Sequence, residues 1–152
     1  MELSILRGIQ AVANPLLDYL FIGLTIFGEP LAAVALLTVV YWLWDKETGE
    51  YMTFALLLSL NVNGLIKNIC RFPRPIGQEG IRSLRVQTAT GYSFPSGHTQ
   101  TAAALYGSLA LRVRRSGVTK FAVAVTLLVG LSRLYLGVHW PKDCLLYTSR
   151  CV

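Results

Sequence analysis

Apolar residues along this chain gather into long runs, and charged residues fall in the short breaks between them instead of along one face. A bilayer-crossing helix needs roughly 20 mainly apolar residues, each advancing about 1.5 Å across about 30 Å of hydrocarbon. Residues 19–44 form one such run, interrupted only by Glu29-Pro30. Splitting it there leaves two pieces too short to span, so the pattern predicts one helix kinked at Pro30. Further helices are predicted over 51–66, 97–111 and 121–138. These three are short unless their polar ends sit at the interface or face the bundle interior. Residues 2–17, broken at Asn14-Pro15, read as an interfacial helix. Connections are expected over 45–50, 67–95 and 112–120. A polar connection as long as the second is more often functional than passive.

Composition agrees with this pattern. Of 152 residues, 53% are hydrophobic and only 14% charged, well below the ~25% of a soluble domain. Mean hydropathy is +0.50. Disorder is excluded by the same figures. The three cysteines, Cys70, Cys144 and Cys151, have no paired spacing and so give neither a disulfide framework nor a zinc site. The net charge of +6 does not indicate nucleic acid, because the basic residues do not line one face. The expectation is an all-α, polytopic transmembrane bundle of about four spans. No basic segment precedes a small-residue cleavage site near the start, so no cleavable signal peptide is expected. Arg112, Arg114, Arg115 and Lys120 crowd one short connection, which the positive-inside tendency places in the cytoplasm, with the long connection facing outward.

Four polar groups stand at helix ends where a membrane protein does not ordinarily keep them. Lys67 closes the second run, with Arg74-Pro75 after it. Pro95-Ser96-Gly97-His98 opens the third. Ser132-Arg133 lies near the end of the fourth, and His139 and Asp143 follow. With four spans, all of them fall on one membrane face. Each has an ordinary reading: Lys67 as a snorkelling cation, Ser96 as an N-cap, His98 as a satisfied polar residue, and His139 with Asp143 as a helical hydrogen-bonded pair. An isolated Arg133 within a span is harder to dismiss. Their coincidence on one face weakens all of these readings together.

Lys67, Arg74 and Arg133 lack nearby carboxylates other than Asp143, and a phosphate would supply the missing anion. Arginine offers a fork matched to phosphate oxygens and lysine a point charge. Ser96-Gly97-His98 at a helix start adds free backbone N–H groups, and Gly97 allows close approach. Such donors also stabilise a phosphoryl transition state. His139, one helical turn from Asp143, suits a nucleophile whose tautomer the carboxylate fixes. His98 suits the general acid that protonates the leaving oxygen. Glu79 is the only carboxylate in the long connection, so no acidic cluster is available for magnesium and a metal-free, cofactor-free route is expected.

These residues, as K-x6-R-P, P-S-G-H and S-R-x5-H-x3-D, resemble the three signature motifs of the type 2 phosphatidic acid phosphatase superfamily, which also includes haloperoxidase-like members. All eleven specified residues are present at the right spacings. The resemblance implies a helical membrane bundle and metal-independent dephosphorylation. It implies His139 as nucleophile, Asp143 as its partner, His98 as acid, and Lys67, Arg74, Ser96, Gly97 and Arg133 as phosphate ligands. Implied substrates are lipid phosphates such as phosphatidate, phosphatidylglycerophosphate or sphingoid-base phosphates, or polyprenyl diphosphates. The substrate tail would remain among membrane lipids, with Ile81, Leu84, Tyr92 and Phe94 lining its access route or serving as interfacial anchors. A soluble vanadate-dependent haloperoxidase is disfavoured by the apolar runs. A non-catalytic lipid-phosphate binder, or an inactive fragment, is the alternative. Residues 1–143 read as an incomplete domain of this family, with its final helices missing. Residues 144–152 read as a non-native tail resembling a translated sequencing adapter.

Overall fold

The structure, a computed structural model, describes residues 1–145. Residues 146–152, most of the tail expected to be non-native, lie outside the described residues. The fold is all-α, with no strand among the described residues. Its helices are α1 (Glu2–Gln10), α2 (Pro15–Ile26), α3 (Pro30–Val39), α4 (Lys46–Cys70), α5 (Gly97–Val113), α6 (Ser116–Tyr135) and α7 (Pro141–Leu145). A π-helical turn (Val40–Trp44) extends α3, and one 3-10 turn (Val86–Thr88) interrupts the long connection.

Local chemistry accounts for the helix ends. Asn14 caps α2 by accepting from the Leu17 amide at 3.0 Å, with Pro15 in the first turn where its missing N–H costs nothing. Asp45 accepts from the Thr48 amide at 2.9 Å, and Glu47 sits in the first turn of α4. This cap starts α4 five residues earlier than the apolar pattern suggested. The polar stretch expected as a connection over 45–50 is therefore almost entirely helical. Helices α4 and α5 end on left-handed residues, Arg71 and Arg114.

The single kinked helix expected over 19–44 is instead two helices. α2 stops at Ile26, the chain turns through Phe27, Gly28 and Glu29, and α3 begins at Pro30. Pro30 has no N–H to continue the ladder, so the Gly28 and Glu29 amides close the turn onto Thr25 and Ile26 at 3.0 and 2.9 Å. The two helices still make one pass of the bundle. Phe21 of α2 stacks on Tyr135 at the end of α6, with ring centroids 4.2 Å apart. Thr25 meets Arg133 one turn deeper, and Gly28 lies against Val129. Tyr41 then packs on Gly49 at the far end, where Arg112 also reaches Glu47.

Helices α4, α5 and α6 supply three further passes. By length and composition α4 and α6 each suffice to cross a bilayer, whereas α5 and the Pro30–Trp44 stretch are shorter. Helices α1 and α2 would make a third apolar span together but are bent by 118°, in keeping with an N-terminal helix lying across the bundle end.

Burial is arranged for a lipid exterior. Large apolar side chains point outward, Leu31 being 81% exposed and Leu43 80%. The interior takes Thr25, Asn63, Ser96, Ser132, Arg133, His139 and Asp143 beside its apolar core of Ala33, Met52, Leu105 and Val129. Surrounding hydrocarbon tolerates this distribution and water does not. A second apolar cluster of Tyr135, Leu136 and Val138 anchors Leu84 of the long connection and Ile9 of α1 onto the end of α6.

Candidate active site

At the end of the bundle where α4 and α6 finish and α5 begins, a cavity of about 350 Å³ is lined by Lys67, Arg74, Gly97, His98 and His139. Residues 72 positions apart in the sequence thus share one wall. A groove of about 400 Å³ between α5 and α6, lined by Ala103, Gly107, Ala122 and Thr126 among others, carries no ionisable side chain. The polar cavity gathers both histidines with Lys67 and Arg74.

Asp143 organises the imidazole. Its Oδ2 accepts from the Trp140 amide at 2.7 Å, from the Ser93 hydroxyl, and from His139 Nδ1 at 3.2 Å. The backbone amide of Ser96 donates to the Asp143 carbonyl at 2.9 Å, which ties the start of α5 to α7. On the opposite edge of the ring, Arg74 Nη1 lies 3.0 Å from His139 Nε2. A guanidinium only donates, so Nε2 must carry the lone pair. Both contacts therefore fix the same tautomer, with the proton on Nδ1. Burial is the main cause holding His139 well below an ordinary imidazole, at about 4, with Asp143 opposing the shift and Arg74 adding to it. At neutral pH the ring is an uncharged base whose Nε2 lies beside Arg74, another residue of the cavity wall.

The cations rest mainly on neutral acceptors. Arg74 donates to the carbonyls of Gly91 (2.9 Å), Thr90 (2.7 Å), Tyr92 (3.3 Å) and Val138 (2.9 Å). Burial also lowers its pKa, with Asp143 partly opposing. Lys67 Nζ donates to the Tyr92 carbonyl at 2.7 Å. Arg133 is fully buried; its Nη1 donates to Thr25 Oγ1 at 2.9 Å and approaches Thr88 Oγ1 at 3.5 Å. Its Nε and Nη2 have no partner among the described residues, and neither has His98 Nε2. An unsatisfied buried polar group costs about 1–3 kcal/mol. Of these residues His98 lines the cavity, where an oxyanion would offer its ring nitrogen a partner.

Ser96 is placed as the N-cap of α5, accepting from Thr99 Oγ1 at 3.0 Å, and neither it nor Arg133 lines the cavity wall itself. None of Ile81, Leu84, Tyr92 and Phe94 lines it either; Phe94 is buried edge-on against Phe72. Pro30 and Leu60 supply the apolar part of the wall. Several contributors carried no sequence signal. Ser93 and Thr25 are single small polar residues without spacing. Glu29, which lines the cavity and pairs with Arg85 at 2.6 Å, read as a helix interruption with no chemical role assigned to it. Gly28 permits a close approach, since a Cβ there would sit 2.6 Å from the His98 carbonyl oxygen.

Comparison with known proteins points to one family. Residues 49–146, more than half of the chain, match the family described as the PAP2 superfamily. The undecaprenyl-diphosphatase BcrC of Bacillus subtilis is 29% identical over 151 residues, covering 95% of this chain and 76% of that protein. The crystal structure of Aquifex aeolicus LpxE superposes with a TM-score of 0.83 at 25% identity, covering 95% of this chain and 86% of the other. That of a transmembrane PAP2-type phosphatidylglycerolphosphate phosphatase from Bacillus subtilis gives a TM-score of 0.77 at 26% identity, covering 93% and 74%.

Proposed function

The chain belongs to the PAP2 superfamily, a family of phosphoric ester hydrolases, and from that premise we propose that it cleaves the phosphate ester or diphosphate of a membrane lipid through a phosphohistidine at His139. The observation that carries this reading is the tautomer of His139, a residue lining the cavity with Lys67 and Arg74, whose Nε2 beside Arg74 is unprotonated. Its relatives' names include an undecaprenyl-diphosphatase and a phosphatidylglycerolphosphate phosphatase. The shared requirement is a phosphoryl group on a lipid.

In the first step Nε2 attacks phosphorus in line, the P–N bond forms, and the bond to the leaving oxygen breaks. His98 delivers the proton that the leaving alkoxide or phosphate takes up. Asp143 supports the charge that develops on the imidazole through Nδ1–H. Lys67, Arg74, Arg133 and the backbone N–H groups at Gly97 and His98, with Ser96 shaping that helix start, hold the equatorial oxygens. In the second step water attacks phosphorus and gives its proton to His98. The P–N bond then breaks, releasing inorganic phosphate and neutral His139. Guanidinium and ammonium groups do the charge work in this scheme, so it needs no metal ion.

The substrate reaches the site with its tail in lipid. Leu60 of α4 and Pro30 at the start of α3 form the apolar flank of the cavity, and neighbouring Leu31 and Leu57 face outward. The four-pass bundle is multi-pass in the membrane, and the site lies at the end opposite the basic connection carrying Arg112, Arg114 and Arg115. A cytoplasmic basic connection puts the site on the non-cytoplasmic side. The test is release of inorganic phosphate, in EDTA, from phosphatidate and from a polyprenyl diphosphate in detergent micelles. Expected is turnover of at least one, lost in His139→Ala. Full activity in that variant, or dependence on added divalent metal, overturns the mechanism.

A further inference from the structure

The polar cavity contains one feature the mechanism does not use, a carboxylate in a site made for an anion. Glu29 lines the cavity beside Lys67 and His98, and its Oε1 accepts from Arg85 Nη2 at 2.6 Å. The two residues come from distant parts of the chain, the break between α2 and α3 and the long connection. Both side chains are largely covered, 17% exposed for Glu29 and 29% for Arg85.

Arg85 marks a particular place in the connection. It adopts a left-handed conformation, φ 53°, where the chain turns into the 3-10 turn Val86–Thr88. Its carbonyl accepts from both the Thr88 amide (3.1 Å) and the Thr88 hydroxyl (3.0 Å). That hydroxyl faces Arg133 Nη1, and Thr88 and Thr90 line the cavity. On the other side of Arg85, the Leu84 amide donates to the Leu136 carbonyl at 2.9 Å and Ser83 Oγ to the Gly137 carbonyl at 2.9 Å. The connection is thus pinned to the end of α6 up to residue 84. Beyond that point the Glu29–Arg85 pair is its tie to the α2–α3 break.

We propose that Glu29 is a positioning residue: by gripping Arg85 it sets the 85–90 segment over the cavity, so that Thr88 steadies Arg133 and the Thr90 carbonyl steadies Arg74 for the incoming phosphate. Glu29 acts through Arg85 on phosphate affinity, not on the bond-making step. The proposal rests on the phosphatase reading only for the identity of the anion.

The probe is inorganic phosphate, measured as the phosphate dependence of the thermal unfolding temperature of the detergent-solubilised chain. KM and kcat for phosphatidate give a second readout where turnover is present. Glu29→Gln is expected to weaken phosphate binding roughly three- to tenfold, in line with a partly covered ion pair, and to raise KM more than it lowers kcat. Arg85→Gln should do the same. The exchanged double variant Glu29→Arg/Arg85→Glu should recover most of the affinity. Unchanged phosphate affinity in Glu29→Gln, a fall in unfolding temperature without a fall in affinity, or losses that simply add in the double variant would each overturn the proposal. Glu29→Gln is nearly isosteric and Arg85→Lys keeps the charge, so both keep the test readable if truncated side chains prevent folding. Absence of phosphatidate turnover in the parent chain would count against the phosphatase reading, while the phosphate titration would still decide this one.

Discussion

Replacing Asp143 by Asn separates the charge of this residue from its shape. Three donors converge on Oδ2, the Trp140 amide, the Ser93 hydroxyl and His139 Nδ1, while Oδ1 is buried without a partner among the described residues. An amide must therefore put its oxygen where Oδ2 stands, since the reverse orientation would point two N–H groups at three donors. The oxygen keeps the His139 tautomer. The NH₂ then takes the Oδ1 position, where it meets no acceptor, at a cost of about 1–3 kcal/mol in stability. What is lost for the chemistry is the negative charge opposite Nδ1 as Nε2 bonds to phosphorus. Charge-assisted hydrogen bonds are roughly twice as strong as neutral ones and typically contribute ~1.5–3 kcal/mol. Phosphoenzyme formation should therefore slow by about ten- to 150-fold, with substrate KM little changed. The assay is rapid-quench measurement of acid-labile, base-stable phosphoprotein alongside phosphate release. A phosphorylation rate within threefold of the parent's would refute the claim that Asp143 supports charge on His139.

Two further outcomes follow from the same geometry. Gly28→Ala places a Cβ 2.6 Å from the His98 carbonyl oxygen and 2.9 Å from Val129; overpacking of this kind costs about 1–3 kcal/mol, so phosphate release should fall at least tenfold with a lowered unfolding temperature, and unaltered activity would show that the α2–α3 break does not seat α5. The chain holds two histidines, so an NMR titration of His98→Asn reports His139 alone, with a midpoint expected near 4 and a midpoint near 6.5 as the contrary result. The sign of the linked stability is set by the unfolded chain, which binds this proton near 6.5 while the folded chain stays neutral. Stability therefore falls as pH drops from about 6.5 to 4, by on the order of 3 kcal/mol.

The legible part of the site was the part made of ionisable groups. In a chain so apolar, Lys67, Arg74, His98, Arg133, His139 and Asp143 stand out because burial of such side chains needs a reason, and fixed spacings within helix ends set them on one face. Residues that orient them were not legible. Thr25 reaches Arg133 across 108 positions of sequence, and Ser93 reaches Asp143 across 50; a lone hydroxyl has no period and no charge to announce such a contact. Hydropathy located the first crossing but not its break, since a run of apolar residues looks the same whether its backbone ladder continues or restarts. The cap at Asp45 likewise decided the start of α4 through one side-chain oxygen, which an apolar window does not weigh.

Arg74 and Lys67 both lean on the carbonyls of residues 90–92, and this has a consequence for turnover. A carbonyl dipole shields a buried cation without cancelling it. On the proposed reading, an arriving phosphate dianion would trade places with peptide oxygens at Lys67 and Arg74 instead of having to strip away a carboxylate, and its departure would hand these cations back to the same oxygens. On that reading Lys67 and Arg74 are never left bare, and product release is eased because the protein has its own replacement ligands waiting in the loop.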